Sequence, residues 1–558
     1  MRNLFKIFTL SVSLFILMSV FWASDRADAD EQDYYLQLKK SWLYLQRVYE
    51  NLHQHYVEEL EPYPLIKAGI DGMLEKLDPY TVFIDDDGER RLQMITTGRY
   101  GGLGMEIGLS NKKITVISPL ENSPAKRMGI LAGDIIEKID GQDISNWSVD
   151  KVSTALRGKI GTKVTLVISR PGQEKPYEIT LTRAEIVIED IGYAGFIEPG
   201  IAYVSLTGFT EKAPVELKTA ISRLRSQDEI RAFILDLRDN PGGLLDAAIE
   251  VVNVFVDRNE LVVFTRGFRE EEAKFYTRNK AILPDVPLVV MVNQGSASAS
   301  EIVAGALQDL DRAVIVGEGT FGKGLVQKVY PIDKNEDVKL KITTAKYYIP
   351  SGRCIQKRDY GKENGVVHRD SLSPDDSNPL AFFTKNKRKV FDKGGIYPDI
   401  EVTGDSLSYV VLELIRKRLF FDFAIQFYSQ NPLVDVQTYP ADSLMNQFRR
   451  FVKDRNFIYE IEGSRELNRI EKIARDKNYS PEVNALIGQL KVKLESGKQL
   501  DFENNQAKIV ELLFLELTEK YSGIKEKRRL ALQSDKQLSE ALAVLKNRSN
   551  YQKILAIN

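Results

Sequence analysis

The spacing of apolar residues along the chain changes character three times. From about Gln32 to Met94 apolar residues recur with the helical period, and from Gly98 to Arg183 short apolar segments alternate with glycine turns, which is typical of strands. Between residues 184 and 400 apolar strands alternate with helical segments, as they do in layered α/β domains. After Thr403 the chain is charged, contains little glycine or proline, and has helical periodicity to the end.

Two continuous apolar runs mark the centre of the α/β stretch. Arg231–Leu237 and Pro287–Val292 have the composition of strands that are buried on both faces of a sheet. A chain of 558 residues is also too long for a single core. We therefore predict a multidomain α/β protein with an export segment (1–24), a helical region (31–96), a small β domain (97–183), an α/β core (184–402) and a C-terminal helical region (403–558).

The first 24 residues have the features of an export signal. Arg2 and Lys6 precede an apolar run from Phe8 to Ala23, and an acidic, polar stretch follows. The run lies near the lower length limit for spanning a membrane, roughly 17 residues, and its end offers only a mediocre cleavage site. A cleaved signal peptide and an inner-membrane anchor both fit. In either case we expect the rest of the chain to face the periplasm.

Composition removes several classes of function. The formal net charge of −2 gives no general attraction to nucleic acid. The single cysteine, Cys354, excludes an internal disulfide and a multi-cysteine metal site, and no metal or organic cofactor is implied. The three histidines, His53, His55 and His368, are expected to be surface or structural residues. If the chain is a hydrolase, its general base is therefore expected to be another residue type.

The small β domain begins with a glycine-rich segment that runs into a strand, from Tyr100 to Ile107. Free backbone N–H groups in such a segment can form a nest for a terminal carboxylate, and the strand after it can accept an extended peptide. The residues predicted to bind the peptide terminus in this way are Gly101, Gly102, Leu103 and Gly104.

The remainder of this domain completes a known pattern. Ser123–Gly141 predicts a helix, a turn and a strand, while Val149–Arg157 predicts a second helix and Lys163–Arg170 a further strand. Over its whole length the segment resembles a PDZ domain, which implies recognition of free C-termini. Arg157 resembles the arginine through which some such domains couple peptide binding to an active site. A solvated arginine at a helix end is the alternative.

A turn of small residues follows the second buried run. The strand ends in Asn-Gln-Gly, and the turn from Ser296 to Ser300 leads into a helix. Ser298 and Glu301 fit a helix capping box, which is a structural role. A serine at a helix start also lies beside unpaired N–H groups and the positive end of the helix dipole, and both favour the oxyanion of acyl transfer. The sequence alone does not rank Ser296, Ser298 and Ser300.

A second glycine-rich segment contains Lys323. Gly317 to Lys323 matches the first seven positions of a phosphate-binding loop, but Gly324 stands where that loop needs a Mg²⁺-binding Ser or Thr. The residues after it predict a strand, whereas a phosphate loop opens a helix. A nucleotide-binding protein is therefore the less favoured alternative.

Lys323 is a candidate for a general base in place of histidine. Its pKa would have to fall from ~10.4 toward ~7–8 before it could accept a proton from a serine near neutral pH. Burial among apolar groups, without a carboxylate partner, would lower the pKa in this way. A fall of about three units corresponds to roughly 4 kcal/mol, so the fold must enforce it.

The serine and lysine segments together resemble the C-terminal processing peptidases. Asp236–Gly243 (DLRDNPGG) and Gly394–Asp399 (GGIYPD) match that family as well, and the likeness covers about residues 35 to 400. It implies that Ser298, the middle serine of its run, is the nucleophile. It also implies that Lys323 is the general base.

The same resemblance assigns supporting roles. It implies that Gln327 orients the lysine and that the N–H groups of Gly242, Gly243 and Ala299 form the oxyanion hole. Residues four apart in a regular strand are separated by about 13 Å, so a contact between Lys323 and Gln327 requires a turn or a bulge. A glutamine on a solvated strand is the alternative.

Four further residues of this stretch are expected to be structural. Asp236 and Arg238 stand at the end of a buried strand and would brace the Asn-Pro-Gly-Gly loop that follows. Asp309 lies toward the end of the serine helix, and Cys354 lies in a strand-turn segment.

The function expected from these features is that of a serine endopeptidase. It would bind the apolar C-terminal tails of exported proteins through the PDZ domain and cleave them with a Ser298/Lys323 dyad. Residues 403–558 lie outside the resemblance and would pack on the core, build a homo-oligomer or bind an adaptor protein. A PDZ scaffold or chaperone with an inactive peptidase site is the rival from another class.

Overall fold

The structure is a computed structural model that describes residues 32–268, 270–333, 338–360, 364, 380–392, 394–460 and 463–557. The chain forms two compact units, Met1–Glu75 and Lys76–Asn558. The predicted export segment and His368 lie outside the described residues. Within the described ranges, no helix combines the length and the apolar content that crossing a membrane requires.

The helices and strands are numbered in chain order. The helices are α1 (residues 32–55), α2 (Pro62–Leu74), α3 (Asp86–Thr97), α4 (Pro124–Arg127), α5 (Val149–Leu156), α6 (Ala213–Arg225), α7 (Leu245–Phe255), α8 (Ala299–Asp309), α9 (Tyr409–Arg416), α10 (Leu419–Gln430), α11 (Ala441–Asp454), α12 (Ser464–Asp476), α13 (Pro481–Asn504), α14 (Gln506–Ser522), α15 (Ile524–Ala531), α16 (Lys536–Lys546) and α17 (Arg548–Ile554). The strands are β1 (Val82–Ile84), β2 (Arg99–Gly102), β3 (Met105–Ser110), β4 (Lys113–Pro119), β5 (Ile135–Ile139), β6 (Gln142–Asp143), β7 (Lys163–Ser169), β8 (Tyr177–Thr182), β9 (Ala184–Val187), β10 (Ile191–Glu198), β11 (Ile201–Leu206), β12 (Ala232–Asp236), β13 (Leu261–Arg266), β14 (Ala273–Tyr276), β15 (Leu288–Val292), β16 (Val314–Gly317), β17 (Leu325–Pro331), β18 (Lys339–Tyr348), β19 (Ala381–Phe383), β20 (Lys389–Phe391) and β21 (Ile400–Glu401).

The N-terminal region is only partly the helical segment that its periodicity predicts. Helices α1 and α2 make up the described part of the first unit. Residues 82–84 of the second unit form strand β1, which pairs antiparallel with β18. The prediction of helix throughout residues 31–96 is therefore wrong at β1, because a three-residue strand is too short to show a period of its own.

Strands β3–β8 form one antiparallel sheet in the order β3-β4-β5-β7-β8, with β6 attached to β5. Alternate residues of β7, among them Val164 and Leu166, are buried against α5, which contributes Val152. Strand β3 lies at the edge of this sheet, so its outer backbone groups can pair with another strand. The glycine-rich loop is shorter than predicted, because residues 99–102 form β2 and pair with β9.

The sheet of the α/β core has the order β10-β11-β12-β15-β16-β21 and is parallel except for β10. Every residue of β12 and β15 is buried, as their continuous apolar composition predicts. Helices α6, α7 and α8 cover one face of the sheet. The multidomain α/β fold is therefore confirmed.

Helices α16 and α17 cover the other face of the core sheet. Leu538, Ala541, Val544 and Tyr551 pack against β-strand residues such as Ile234. Helices α9, α10, α11 and α14 instead surround a separate core of their own, while α12 packs with α13 in a small cluster. The predicted region 403–558 thus contains a helical bundle followed by a layer of the α/β core.

A second sheet flanks the core and contains β1, β18, β13, β14 and β17. Strand β17 begins two residues after Lys323, which confirms that an extended segment follows the glycine-rich loop. The loop therefore lacks the following helix that a phosphate-binding loop needs.

Gly317 should be essential for the contact between β15 and β16. Its φ is +131°, and an added Cβ would lie 2.0 Å from the carbonyl oxygen of Val292. We expect Gly317→Ala to lower the melting temperature by at least about 5 °C, because two buried strands would have to separate. Gly319→Ala is the matched control, since its Cβ would meet the Tyr397 ring at an ordinary 3.5 Å. Equal melting temperatures for the two variants would contradict this prediction.

Candidate active site

A cleft of about 610 Å³ opens beside the N-terminus of α8. Ser298, Ala299 and Gly243 line it together with Gln327 and Tyr347. The cleft therefore brings together residues from the serine turn, the Asn-Pro-Gly-Gly loop and the second sheet. Four of the residues predicted from sequence to serve catalysis lie at its surface.

Ser298 has a strained backbone. Its φ of 55° and ψ of −113° lie in a region that L-residues rarely adopt, and it is the N-cap of α8. Strain of this kind holds the nucleophile of α/β hydrolases on a sharp turn between a strand and a helix. The turn between β15 and α8 has the same strand–turn–helix context and leaves Ser298 half-buried in the cleft.

The hydroxyls of the two neighbouring serines are hydrogen-bonded to backbone carbonyl groups. The Ser296 hydroxyl donates to the carbonyl oxygen of Leu237 at 2.8 Å, and the Ser300 hydroxyl donates to that of Asn240 at 2.9 Å. Both serines are fully buried. Of the three candidates, Ser298 is therefore the one whose hydroxyl faces the cleft.

One buried carboxylate, that of Glu301, joins the serine turn to the lysine loop. It accepts the N–H of Ser298 at 2.8 Å and the N–H of Lys323 at 2.9 Å. It also accepts the N–H of Gly322 at 2.7 Å and the hydroxyl of Thr320 at 2.6 Å. Burial raises the pKa of Glu301, whereas these donors lower it. The capping-box contact predicted from sequence is thus one of four that fix the distance between the two segments.

The Lys323 amine has the properties of a base that loses its proton only slightly above physiological pH. Its pKa is lowered to about 8, chiefly by burial and also by the nearby positive charge of Lys341, while Glu301 and Asp78 oppose this fall. The amine lies 4.2 Å from the centroid of the Tyr80 ring. Among the described residues it forms no ion pair and no hydrogen bond, so its side chain is not yet directed at Ser298.

Tyr80 and Tyr347 are site residues that the sequence analysis missed. The Tyr347 hydroxyl donates to the carbonyl oxygen of Lys323 and contacts the Ser298 side chain. Tyr80 is held in a turn whose N–H groups bond to the Asp78 carboxylate. Neither tyrosine stands in a motif of the serine or lysine segment, and the pairing of β1 and β17 with β18 brings them to Lys323.

Gln327 lies in the cleft but does not contact the lysine amine. A bulge between Val326 and Gln327 interrupts the pairing of β17 with β18, as a Lys–Gln contact would require. The Gln327 amide donates to the carbonyl oxygen of Leu325 and to the Thr343 hydroxyl. Its role in orienting Lys323 stays a prediction.

The Asn-Pro-Gly-Gly loop lies directly against the serine turn. An added Cβ on Gly242 would be 2.8 Å from the nitrogen of Ala299, so only glycine fits at this position. The Gly242 N–H donates to the Asn240 side chain at 2.9 Å and is therefore engaged in this conformation. Gly243 and Ala299 line the cleft and stay the predicted oxyanion donors.

The residues expected to be structural form buried pairs. The Arg238 guanidinium bonds to the Asp236 carboxylate at 2.7 Å. Asp309 forms an ion pair of 2.8 Å with the buried Arg353. Cys354 is buried, and burial raises its pKa to about 11, so its thiol is protonated at neutral pH. No cluster of histidine, cysteine or carboxylate side chains suited to a metal ion occurs in the described part of the chain.

The predicted peptide site is set around the end of β2. Gly101 accepts the N–H of Gly158, which ties the loop to the end of α5, and the Leu103 side chain is 2% exposed and belongs to the core. Gly104 has φ +70°, and an added Cβ would lie 2.4 Å from that of Ser123. Arg157 stacks on the Tyr100 ring at 5.4 Å. The strand β3 that would accept a peptide starts immediately after this loop.

Family models define the class of this chain as a PDZ-containing peptidase. Residues 200–366 match the model of peptidase family S41, and residues 91–169 match that of the PDZ domain. Residues 410–545 match the probable PDZ-protease C-terminal helical domain, and residues 12–88 match the activating protease CtpB N-terminal domain.

Relatives narrow this class to one family. The carboxy-terminal-processing protease of Bartonella bacilliformis is 40% identical over 351 residues, which are 62% of this chain and 78% of the relative. A probable CtpA-like serine protease of Staphylococcus saprophyticus is 33% identical over 62% of this chain and 68% of its own length. The chain belongs to the carboxy-terminal-processing proteases of peptidase family S41. The resemblance found in the sequence is therefore confirmed.

Solved structures include similar chains. The photosystem II D1 C-terminal processing protease is 28% identical and aligns over 65% of this chain and 87% of its own, with a TM-score of 0.36. A PDZ domain of the carboxy-terminal protease from Vibrio cholerae, solved in complex with a peptide, is 24% identical over 16% of this chain and 99% of its own, with a TM-score of 0.15.

Glu301 should be required for activity although it does not face the substrate. In Glu301→Gln the amide presents one acceptor oxygen and two N–H donors to four donor groups, so at least one buried donor loses its partner at a cost of about 1–3 kcal/mol. We expect kcat for peptide cleavage to fall by about 100-fold. Glu318→Gln is the control and should keep full activity, because Glu318 is only half-buried and its carboxylate accepts a single N–H, that of Gly404, which an amide oxygen can also accept. Wild-type kcat in Glu301→Gln would show that catalysis does not need the four hydrogen bonds of the Glu301 carboxylate.

Proposed function

We propose that this chain is a serine endopeptidase that recognises the C-terminal tails of exported proteins through its PDZ domain and cleaves them with a Ser298/Lys323 dyad. The observation that carries this proposal is the Glu301 carboxylate, which binds the N–H groups of Ser298 and Lys323 at once. Membership of the S41 family supports the serine-type chemistry.

The proposed reaction begins at the neutral amine of Lys323. Rotation of the lysine side chain away from the Tyr80 ring brings the amine to the Ser298 hydroxyl. The amine accepts the hydroxyl proton while the serine oxygen attacks the substrate carbonyl. The N–H groups of Gly243 and Ala299 would stabilise the oxyanion beside the positive end of α8. The protonated lysine then gives its proton to the leaving amine, and water hydrolyses the acyl-enzyme.

Substrate selection is proposed to begin at the PDZ domain. The tail would add to the free edge of β3, and its carboxylate would bind the N–H groups at the start of that strand. Gly101, Gly102, Leu103 and Gly104 shape this loop, while the stacking of Arg157 on Tyr100 holds it at the end of α5. Proteins or peptides with free, apolar C-termini are therefore the proposed partners.

The proposed location is the periplasm, either soluble or anchored through residues 1–24. The apolar run of the sequence supports this location. A homo-oligomer is also proposed, because α1 exposes large apolar side chains such as Trp42, Leu45 and Val48 to solvent. An adaptor protein is the alternative partner.

The dyad is tested by substitution at both of its positions. We expect Ser298→Ala and Lys323→Ala each to lower kcat by at least about 1,000-fold, and the double variant to be little worse, because the residues act as one unit. Lys323→Arg should be equally inactive, since a guanidinium stays protonated near neutral pH. Lys328→Arg, at an exposed ion pair with Glu270, is the control and should be fully active.

The pH profile gives a second measure of the same mechanism. With a lysine pKa of about 8, the neutral fraction and hence kcat should rise about fivefold between pH 7 and pH 8. Turnover by folded Lys323→Arg would remove lysine as the base. If Ser298→Ala is active and Ser296→Ala or Ser300→Ala is inactive, the nucleophile is that other serine.

Tail recognition is tested with one peptide in two forms. Amidation of its C-terminus should raise KM by about tenfold or more with little change in kcat, because charged hydrogen bonds to the carboxylate are lost. Gly104→Ala should have the same effect on the free peptide, since its Cβ would displace the loop. Gly141→Ala has similar backbone strain at φ +79° but open space around it, and is the control. Equal KM values for free and amidated peptides would exclude carboxylate recognition.

A further inference from the structure

The first residues of α16, although nearly 300 residues away in sequence, reach the strand end that precedes the Asn-Pro-Gly-Gly loop. Asp535 Oδ2 accepts from Arg238 Nη2 at 2.6 Å, and Gln537 Oε1 accepts from Arg238 Nη1 at 2.9 Å. We propose that Asp535 and Gln537 are positioning residues for catalysis, which hold Arg238 and through it the loop from Asp239 to Gly243. This inference rests on the proposed serine peptidase function.

The guanidinium of Arg238 is held from two directions in a poorly accessible place. Its Nε and Nη2 bond to the Asp236 carboxylate, which also accepts the Tyr203 hydroxyl at 2.6 Å. Only 17% of the Arg238 side chain and 16% of the Asp535 side chain are exposed. Water is therefore a poor substitute for either partner, and the second carboxylate fixes the rotation of the guanidinium.

The backbone around Arg238 is also the backbone that holds the serine turn. The carbonyl oxygen of Leu237 accepts the Ser296 hydroxyl, and that of Asn240 accepts the N–H of Ala297 at 3.0 Å. These bonds lie one residue before and two residues after Arg238. A shift of Arg238 therefore moves both the predicted oxyanion donor at Gly243 and the turn that carries Ser298.

Asp535 has a second role that can be separated from the first. Its Oδ1 accepts the N–H of Leu538 at 3.0 Å and caps the N-terminus of α16. Asparagine caps helices as well as aspartate does. In Asp535→Asn the cap is kept, but an uncharged amide whose N–H₂ donors face the guanidinium replaces the carboxylate.

The test compares Asp535→Asn and Gln537→Met with Lys546→Ala. Lys546 also links α16 to the core, through an ion pair of 2.7 Å with Glu198, but this pair is far more accessible. With a peptide that has a free apolar C-terminus as substrate, we expect kcat to fall about tenfold in the first two variants, with KM changed less than about twofold. Lys546→Ala should match the wild type, and melting temperatures should agree within about 2 °C.

A double-substitution cycle separates positioning from general stability. If Asp535 acts through Arg238, Arg238→Gln combined with Asp535→Asn should be no slower than Arg238→Gln alone. Multiplied losses, or wild-type kcat in folded Asp535→Asn, would overturn the inference. If Asp535→Asn melts more than about 5 °C lower, the same cycle with Gln537→Met decides instead.

Ser298→Ala, measured in parallel, keeps the two hypotheses apart. An inactive Ser298→Ala with a fully active Asp535→Asn would contradict only the positioning role. An active Ser298→Ala would contradict the proposed function itself.

Discussion

The candidate site depends on one buried negative charge. Glu301 lies inside α8, where every residue is buried, and its carboxylate is satisfied by donors from the serine turn and the lysine loop. A buried carboxylate is stable only when such donors surround it. The serine turn and the lysine loop therefore stabilise the carboxylate, and the carboxylate in turn holds the two segments in place. The same arrangement leaves the Lys323 amine without a carboxylate of its own. Its pKa can therefore fall to about 8 while the fold still contains a charge nearby.

The core sheet imposes the second constraint. Its central strands are apolar on both faces, so each face needs a covering layer. Helices α6 to α8 supply one layer, and α16 and α17 supply the other. The bundle of α9–α14 lies between these parts of the sequence, and its helix α10 contacts the PDZ sheet, where Asp422 accepts the Ser110 hydroxyl at 2.9 Å. The C-terminal region therefore touches both the PDZ sheet and the α/β core.

Much of this architecture follows from local sequence, because continuous apolar strands and glycine turns have strong local signals. The buried strands, the PDZ segment and the position of Ser298 before a helix were all predictable. Tyr80, Tyr347 and Asp535 were not, since strand pairing brings the two tyrosines to the lysine loop and helix docking brings Asp535 to Arg238 from distant parts of the chain. The role of Ser296 and Ser300 was equally hidden, because it depends on carbonyl groups of a loop about 60 residues earlier.

Helices α16 and α17 follow all strands of the core sheet in the sequence, which has a consequence for biosynthesis. Until residues 538–555 have been synthesised, the second face of the core sheet is apolar and uncovered. The buried strands β11, β12, β15 and β16 precede these helices by more than 200 residues, so this face is covered only by contacts of very long sequence separation. A nascent chain therefore holds its serine and lysine segments on an unfinished sheet. The serine and lysine segments therefore gain the support of a complete two-layered sheet only when α16 and α17 dock.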